Sequence, residues 1–408
     1  MTRGLLFSLL ASAAVFLLLS PLPSTRQKEI FPYDELCDYR MFILPCMTSE
    51  RPYSAPATRL RDACYPPIAY CAIGALASDR GEKWSLSPGE VRLLLSLLLA
   101  HCLAVVLLVL KMPGACVRLL AATAILLSPA CVCTLLRGNP SGWAFALVCV
   151  FLFWYRSDDA AKRMVAAVAL GAATSLKVAP CLFGVLYLSE AVSRSRRIPW
   201  LEIAVSASSA VILTFLPFLF FGGFAAIPQW MSNAMANAEF YSVDNPLWGF
   251  AAMANHIIDS KEIVLPCIRG FALATRALAV VLVVVGVFAR SRYCRLLCIG
   301  AAMAFLTHHD YGGAYLFPAF VAWLHGVDES PSARSGVRPL LEAVAWFFIL
   351  TPLQIPNPCH SGSLNAMLQN EFLFVLLFAA AVGRRGAVNG TSDCENRQPT
   401  FRLGVRGS

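Results

Sequence analysis

Charged residues are scarce in this chain. Aspartate, glutamate, lysine and arginine make up 14% of the 408 residues, whereas apolar residues make up 58%. Soluble domains carry about 25% charged residues, so this composition excludes a soluble protein. Several apolar stretches approach the roughly 20 residues needed to cross about 30 Å of hydrocarbon. The sequence therefore predicts an all-α polytopic protein of the plasma membrane.

Some common chemical signatures are also missing. The chain has no G-x-G-x-x-G motif and no glycine-rich phosphate loop, so a cytosolic nucleotide has no recognisable site. Its fifteen cysteines lack zinc-type pairing and its histidines lack His-x-x-x-His spacing, so we expect no metal and no other cofactor. The net charge of +9 is divided among short clusters, which argues against nucleic acid as a partner. No clear internal repeat of the kind common in transporters occurs.

The basic clusters predict how the chain crosses the membrane. If the amino terminus is cytoplasmic, the positive-inside rule places every later cluster, from Lys111 to Arg385, in the cytoplasm. This arrangement needs about twelve crossings, within a range of about ten to thirteen, and leaves the carboxyl terminus in the cytoplasm. The predicted spans are 3–22, 91–110, 117–136, 141–155, 164–176, 178–190, 199–221, 263–289, 296–307, 312–326, 339–353 and 367–383.

The same topology defines the parts of the chain. It predicts one membrane domain over residues 1–383 and a polar, disordered cytoplasmic tail over 384–408. Residues 23–90 form a large first outer loop, and residues 222–262 form a second. We expect short helices in the first loop, one of them over residues 66–77, a segment too short to be a span.

Asp38 is the leading catalytic candidate. It lies in the first outer loop, where a carboxylate at the mouth of a membrane helix can accept a proton from an attacking hydroxyl. A solvated loop acid is the alternative interpretation, and Asp34 is a rival within the same loop.

Lys177 is the second candidate. Residues 164–188 are otherwise uncharged, and a lysine at the centre of a membrane helix costs about 2.5–3.5 kcal/mol. The sequence Lys177-Val178-Ala179-Pro180 predicts a break between two short helices at this point. We expect an anionic partner there, either Glu190 or, with a better fit to the outer side, a lipid phosphate. A lysine that reaches to the membrane interface is the alternative.

Further polar residues lie in the predicted outer loops. His308 and His309 indicate contact with a phosphate or a sugar hydroxyl, and helix capping is the alternative. Asn245 can donate to and accept from sugar hydroxyls, with Trp248 as an apolar platform, although turn formation would explain the same residues. A disulfide of undetermined pairing is also compatible with four cysteines on this side: Cys37, Cys46, Cys64 and Cys359.

An ordered set of motifs between about residues 30 and 320 resembles glycosyltransferase family 87 of the GT-C superfamily. The motifs are Asp38-x-x-x-Phe42, Arg51-Pro52-Tyr53, Tyr65-Pro66-Pro67-Ile68, Arg137-Gly138-Asn139-Pro140, and the Gly171 to Pro180 block that contains Lys177. The chain departs from the family pattern in having Phe42 where tyrosine is common and Pro246-Leu247 beside Asn245. These departures affect the identity of the sugar and acceptor more than the type of reaction.

The resemblance implies a GT-C-like bundle of helices and an enzyme that transfers a hexose, with mannose as the first candidate sugar. The donor would be a polyprenyl-phosphate sugar, the acceptor a glycolipid or glycan hydroxyl on the outer face, and membrane lipids would be further partners. The implied roles are Asp38 as the base, Lys177, His308 and His309 at the donor phosphate, and Tyr65, Asn139, Asn245 and Trp248 in substrate binding. A lipid or glycan transporter, or an outer-face glycan polymerase or ligase, is the alternative.

Overall fold

The computed structural model describes residues 36, 38–47, 53, 64–79, 86–194, 197–244, 261–307, 310–326, 337–350 and 371–381. All regular structure in these ranges is helical and none of it is strand, which confirms the all-α prediction. The first predicted span, 3–22, and the tail, 384–408, lie outside the described residues. The division into one membrane domain and a tail therefore stays a prediction.

The described residues form fifteen α-helices, together with one π-helical segment and four 3-10 segments. The α-helices are α1 (Leu44–Met47), α2 (Pro67–Gly74), α3 (Pro88–Val109), α4 (Ala115–Leu126), α5 (Pro129–Arg137), α6 (Ser141–Trp154), α7 (Ala160–Leu176), α8 (Val185–Arg194), α9 (Trp200–Phe215), α10 (Ile227–Asp244), α11 (Lys261–Phe288), α12 (Arg292–Thr307), α13 (Phe317–His325), α14 (Val337–Leu350) and α15 (Glu371–Ala381). A π-helical turn, Tyr39–Ile43, precedes α1, and 3-10 turns occupy Ala179–Gly184, Leu216–Phe220, Phe224–Ala226 and Asp310–Leu316.

Helices coincide with each predicted span after the first, but few of them are long. Within the described residues, α3 and the continuous segment Trp200–Phe220 are long and apolar enough to cross a membrane. The pair α4 and α5 is a third candidate, bent by 49° at the break between the two helices. The count of about twelve crossings is not confirmed by these helix lengths and stays a prediction.

The bend between α4 and α5 has a local cause that the hydropathy pattern did not reveal. Pro129 opens α5 without an N–H to donate, so α4 cannot continue through it. The Ser128 hydroxyl accepts a hydrogen bond from the backbone N–H of Cys131 at 3.3 Å and so caps the new helix. The predicted span 117–136 is therefore two helices.

The two short helices predicted around Lys177 are confirmed. Helix α7 ends at Leu176, and Lys177 has an extended backbone while its N–H still donates to the Ala173 carbonyl at 3.1 Å. A 3-10 turn containing Pro180 follows and leads into α8. The lysine therefore lies at a helix end, where its side chain is not confined to a helix surface.

The outside of the bundle is apolar. Leu99, Leu119 and Leu201 are 68%, 70% and 65% exposed, respectively. Apolar surface on this scale is unfavourable in water and suits hydrocarbon. The exposed apolar helices thus agree with the composition, and the chain is a membrane protein.

Two buried clusters stabilise the interior. The larger is built on α12 and α13, with Trp323 and Trp346 among its fully buried side chains. The smaller joins the first predicted outer loop to the rest of the protein through aromatic rings: Tyr39, Tyr53, Tyr70, Phe218 and Trp230. The smaller cluster fixes the segment that carries Asp38, the leading catalytic candidate.

Candidate active site

The Asp38 segment is anchored to the start of α3. Asp38 immediately precedes the π-helical turn Tyr39–Ile43, and the next basic side chain, Arg40, binds the Glu90 carboxylate with two bonds of 2.6 and 2.8 Å. Glu90 is fully buried and also completes a capping box with Ser87 at the start of α3. The bidentate pair limits movement of the segment that follows Asp38.

A glycine turn brings α5 against the same segment. Gly138 ends α5 with φ of 68°, a left-handed conformation that glycine adopts without strain. The Leu36 N–H donates to the Leu136 carbonyl at 2.6 Å, so the two segments are joined through their backbones. A Cβ atom at position 138 would lie 2.9 Å from Leu36 Cδ2 and 3.1 Å from Tyr39 Cβ, so a larger residue would press on the Asp38 segment.

The turn presents two donors to the Asp38 carboxylate. Arg137 Nε and its Nη2 atom both lie 2.9 Å from Asp38 Oδ1, and Asn139 Nδ2 donates to Oδ2 at 2.6 Å. Asp38 is 3% exposed, which excludes the solvated loop acid considered from the sequence. The carboxylate is instead held in one orientation by charged and amide donors.

The orientation of the Asn139 amide follows from its other partners. Its Oδ1 accepts from the Ser141 backbone N–H at 2.9 Å and from the Ser141 hydroxyl at 2.7 Å. Because a backbone N–H can only donate, the opposite amide atom must be the nitrogen that faces Asp38. The same Nδ2 donates to the Tyr65 hydroxyl at 3.0 Å, so one amide connects Asp38 with Tyr65.

Lys177 joins this group from the end of α7. Its Nζ lies 4.6 Å from the centroid of the Tyr65 ring, a cation–π geometry. Burial lowers the pKa of Lys177, and although Cys64 and Asp38 oppose this shift, Arg137 adds to it. The ammonium therefore lies beside Tyr65, close enough to Asp38 and Arg137 to feel both charges.

Glu190 is not the partner of Lys177, contrary to one of the two sequence-based alternatives. Its carboxylate binds Arg295 at 2.7 Å and Arg156 at 3.4 Å. Glu190 lies near the end of α8, and its two partners belong to the loop after α6 and to α12. It forms part of a separate ion-pair cluster.

Aromatic side chains bind the backbone carbonyls of Cys64 and Tyr65 and hold this segment in place. The Tyr53 hydroxyl donates to the Tyr65 carbonyl at 2.9 Å, and Trp230 Nε1 donates to the Cys64 carbonyl at 3.2 Å. Trp230 lies in α10, within the predicted second outer loop, so both large outer loops support the site. Pro66 and Pro67 then start α2, the short helix predicted over residues 66–77.

The model of glycosyltransferase family 87 matches residues 64–308, which is 245 of the 408 residues. The chain belongs to glycosyltransferase family 87. The match confirms the family resemblance and identifies the protein as a glycosyltransferase, in agreement with the GT-C superfamily. No curated protein and no solved structure matches the chain.

Family membership favours an enzyme over the transporter alternative. The matched region contains Tyr65, Asn139 and Lys177, and it begins after Asp38. The geometry places Asp38 with these three residues although the match does not reach it.

The predicted site residues thus fall into two sets. The structure brings together Asp38, Tyr65, Asn139 and Lys177. The remaining predicted residues, together with the rival Asp34, lie outside the described residues: His308, His309, Asn245 and Trp248. Arg137 was missed as a site residue, although it stands in the Arg-Gly-Asn-Pro motif beside Asn139 and could have been found there.

The described parts of the chain contain Cys, His, Asp and Glu side chains, the usual ligands of metal ions. In those parts of the family 87 protein, no group of three or more His, Cys, Asp or Glu side chains could hold a metal ion. Cys46 and Cys64 are not joined in a disulfide, and burial raises the pKa of Cys64 to about 11. Cys37 and Cys359 lie outside the described residues.

Proposed function

We propose that this family 87 protein transfers a hexose, with mannose the first sugar to test, from a polyprenyl-phosphate donor to a hydroxyl of a glycolipid or glycan. The proposal is supported above all by one contact set: the Asp38 carboxylate, the Asn139 amide and the Tyr65 hydroxyl are joined by hydrogen bonds, with the Lys177 ammonium over Tyr65. A base, an orienting amide and a cation are the groups that such a transfer needs.

The proposed reaction is one inverting displacement. The acceptor hydroxyl loses its proton to the Asp38 carboxylate, and its oxygen forms a bond to the anomeric carbon. The bond between that carbon and the phosphate oxygen breaks, and the lipid phosphate leaves with the electron pair. A positioned base of this kind contributes about a hundredfold to ten-thousandfold in rate.

Lys177 and Arg137 have different proposed tasks. The lipid phosphate gains negative charge as it leaves, and Lys177 stabilises that charge as a fixed cation in a partly desolvated site. Arg137 acts through Asp38, because its guanidinium is directed at Oδ1 from 2.9 Å. It is therefore a positioning residue. His308 or His309 would assist at the phosphate, and Asn245 and Trp248 would contact the sugar.

The reaction as proposed requires no metal, no other cofactor and no nucleic acid. The enzyme is an integral, multi-pass protein of the plasma membrane, with both termini in the cytoplasm and the site on the outer face. The positive-inside rule supports this orientation, because the Asp38 site and the arginine-rich helix ends lie at opposite ends of α6 and α7. The apolar outer surface would accommodate the polyprenyl tail.

The test is sugar transfer by purified, reconstituted protein offered several polyprenyl-phosphate sugars and several membrane glycolipids. We expect Asp38→Asn to lose at least about a hundredfold in rate, the low end of the contribution of a positioned base. Asp158→Asn is the matched control, since Asp158 is exposed at the other end of α7. A folded Asp38→Asn variant with wild-type transfer would assign the base elsewhere, and transfer from non-mannosyl donors alone would correct the sugar.

A further inference from the structure

A second polar region lies at the opposite end of the bundle from Asp38. Helix α6 starts beside Asn139 and ends at Trp154, which at 1.5 Å per residue is a distance of roughly 21 Å. Helix α3 likewise starts at the Glu90 anchor and ends just before Lys111. The second region is therefore separate from the proposed active site.

This region contains a basic pocket of about 380 Å³. Four of its lining side chains are cationic: Lys111, Arg156, Lys162 and Arg292. No carboxylate is among the described residues that line it. A half-open cleft that gathers several cations and has no acid in its described wall attracts an anion.

Lys111 lies in a positive electrostatic potential that disfavours the charge on its own ammonium group. Its Nζ donates to the Phe153 carbonyl at 3.2 Å and lies 4.3 Å from the Phe153 ring centroid. Burial lowers the pKa of Lys111, and the positive charges of Arg292 and Arg156 lower it further. A bound anion would relieve this repulsion.

Two acids beside the pocket, Glu190 and Asp159, are engaged in ion pairs. Glu190 binds both Arg156 and Arg295, at 3.4 and 2.7 Å, and Asp159 lies 3.6 Å from Lys162 at the surface. One carboxylate shared between two arginines leaves an excess of positive charge on this side. The described wall of the pocket therefore carries a net positive charge, which favours a bound anion.

An apolar cavity of about 80 Å³ adjoins the basic pocket. The two share Lys111, Phe153 and Arg292, and the rest of the cavity wall is mostly apolar, with Leu107 and Val321 among its residues. A free inorganic anion would use only the basic part. A molecule with a charged head and an apolar chain would use both.

We propose that this pocket binds the phosphate of an anionic phospholipid, with the headgroup against Lys111, Arg156 and Arg292 and the upper part of an acyl chain in the adjoining cavity. Arginine suits phosphate because its planar guanidinium makes paired hydrogen bonds, while lysine supplies a compact charge. Basic pockets between membrane helices on the cytoplasmic side are known to take anionic headgroups.

The experiment measures binding to the full-length protein in detergent by native mass spectrometry. The probes are phosphatidylglycerol, phosphatidylcholine of the same chains, glycerol 1-phosphate and inorganic phosphate. We expect phosphatidylglycerol to bind, and the double variant Lys111→Gln/Arg292→Gln to weaken it by about thirtyfold, which is about fivefold per basic group. Arg197→Gln removes one exposed positive charge outside the pocket and should leave binding unchanged.

Three outcomes would overturn the proposal. Equal binding of glycerol 1-phosphate would assign the pocket to a soluble phosphate, equal binding of phosphatidylcholine would remove the role of charge, and equal weakening in Arg197→Gln would indicate general surface attraction. If the double variant does not fold, Lys162→Gln serves instead, because that side chain is 53% exposed and its loss should weaken binding by about fivefold.

Discussion

We expect the charge of Lys177 to matter most for transfer after that of Asp38. Its Nζ lies over the Tyr65 ring. Because Lys177 follows the last residue of α7 and has an extended backbone, its side chain is not held on the surface of a helix. Removing one preorganised electrostatic donor costs about a hundredfold to a thousandfold in kcat in other enzymes. We therefore expect Lys177→Met to lower kcat by about a hundredfold or more and Lys177→Arg to retain part of the activity, measured as kcat and KM for the donor in reconstituted vesicles.

Arg197→Gln is the control for that measurement, because it removes an exposed cation far from Tyr65 in the sequence. The role is decided by which of the two parameters, kcat or KM, changes in the variant. A Lys177→Met variant with wild-type kcat and only a raised KM would mean that the lysine binds donor and transition state equally. The proposed stabilisation of the leaving phosphate would then be wrong.

Candidate site residues could be predicted from the sequence, whereas the residues that they contact could not. Asp38 and Lys177 could be chosen from the sequence because a carboxylate in an outer loop and a charge among apolar residues are each unusual. The Arg137–Asp38 pair could not be predicted, since 99 residues separate its members. Glu190 was considered for Lys177 because it is near in sequence, but α8 carries it to Arg156 and Arg295.

At the level of elements, the turn between α5 and α6 depends on Gly138. A left-handed conformation costs a non-glycine residue about 1–3 kcal/mol, and here a Cβ would also press on Leu36 and Tyr39. We expect Gly138→Ala to lower the apparent melting temperature because of the backbone strain, and to reduce transfer because a small shift of Tyr39 displaces the neighbouring Asp38. Thermal unfolding in detergent and a transfer assay check the two effects.

Substitutions at two other glycines distinguish backbone strain from side-chain contact as the cause of the Gly138→Ala effect. Gly223 has φ of 74° and ψ of −176°, a conformation that is almost exclusive to glycine, and nothing lies within 4 Å of an added Cβ. Gly223→Ala therefore reports backbone strain alone, and that strain is at least as large as at position 138. Gly270 has open space and no positive φ, so Gly270→Ala should be neutral or slightly stabilising in its helix. If Gly138→Ala behaves like Gly223→Ala in both assays, the contact with the Asp38 segment has no functional weight.

Helices and their breaks could be predicted from the sequence where one residue or one short apolar stretch determines the backbone conformation. The break at Lys177 follows from Pro180, and the short helix α2 follows from an apolar stretch too short to span. The bend at Pro129 was missed because averaged hydropathy across 117–136 hides a single proline. The π-helical turn after Asp38 depends on tertiary anchoring by Glu90, which local propensity does not contain.

For the whole molecule, the two ends of the helices differ in character. Asp38, Asn139 and Glu90 mark one end, and the pocket of Lys111 and Arg292 marks the other. Cytoplasmic ends of membrane proteins carry the excess of lysine and arginine. The Asp38 site is therefore expected to face the outside, where a lipid-linked sugar and a glycan acceptor can meet it.

Reporter fusions test this orientation on the living cell. Alkaline phosphatase is active only outside the cytoplasm, and green fluorescent protein fluoresces in the cytoplasm, so the pair gives opposite signals for each point. Fused after Arg197, ahead of α9, the fluorescent reporter should be active. Fused after Gly222, beyond the Trp200–Phe220 segment that is long enough to cross, the phosphatase should be active instead. Signals from the same side at both points would mean that this segment does not cross, and reversed signals would place Asp38 in the cytoplasm and exclude the proposed outer-face reaction.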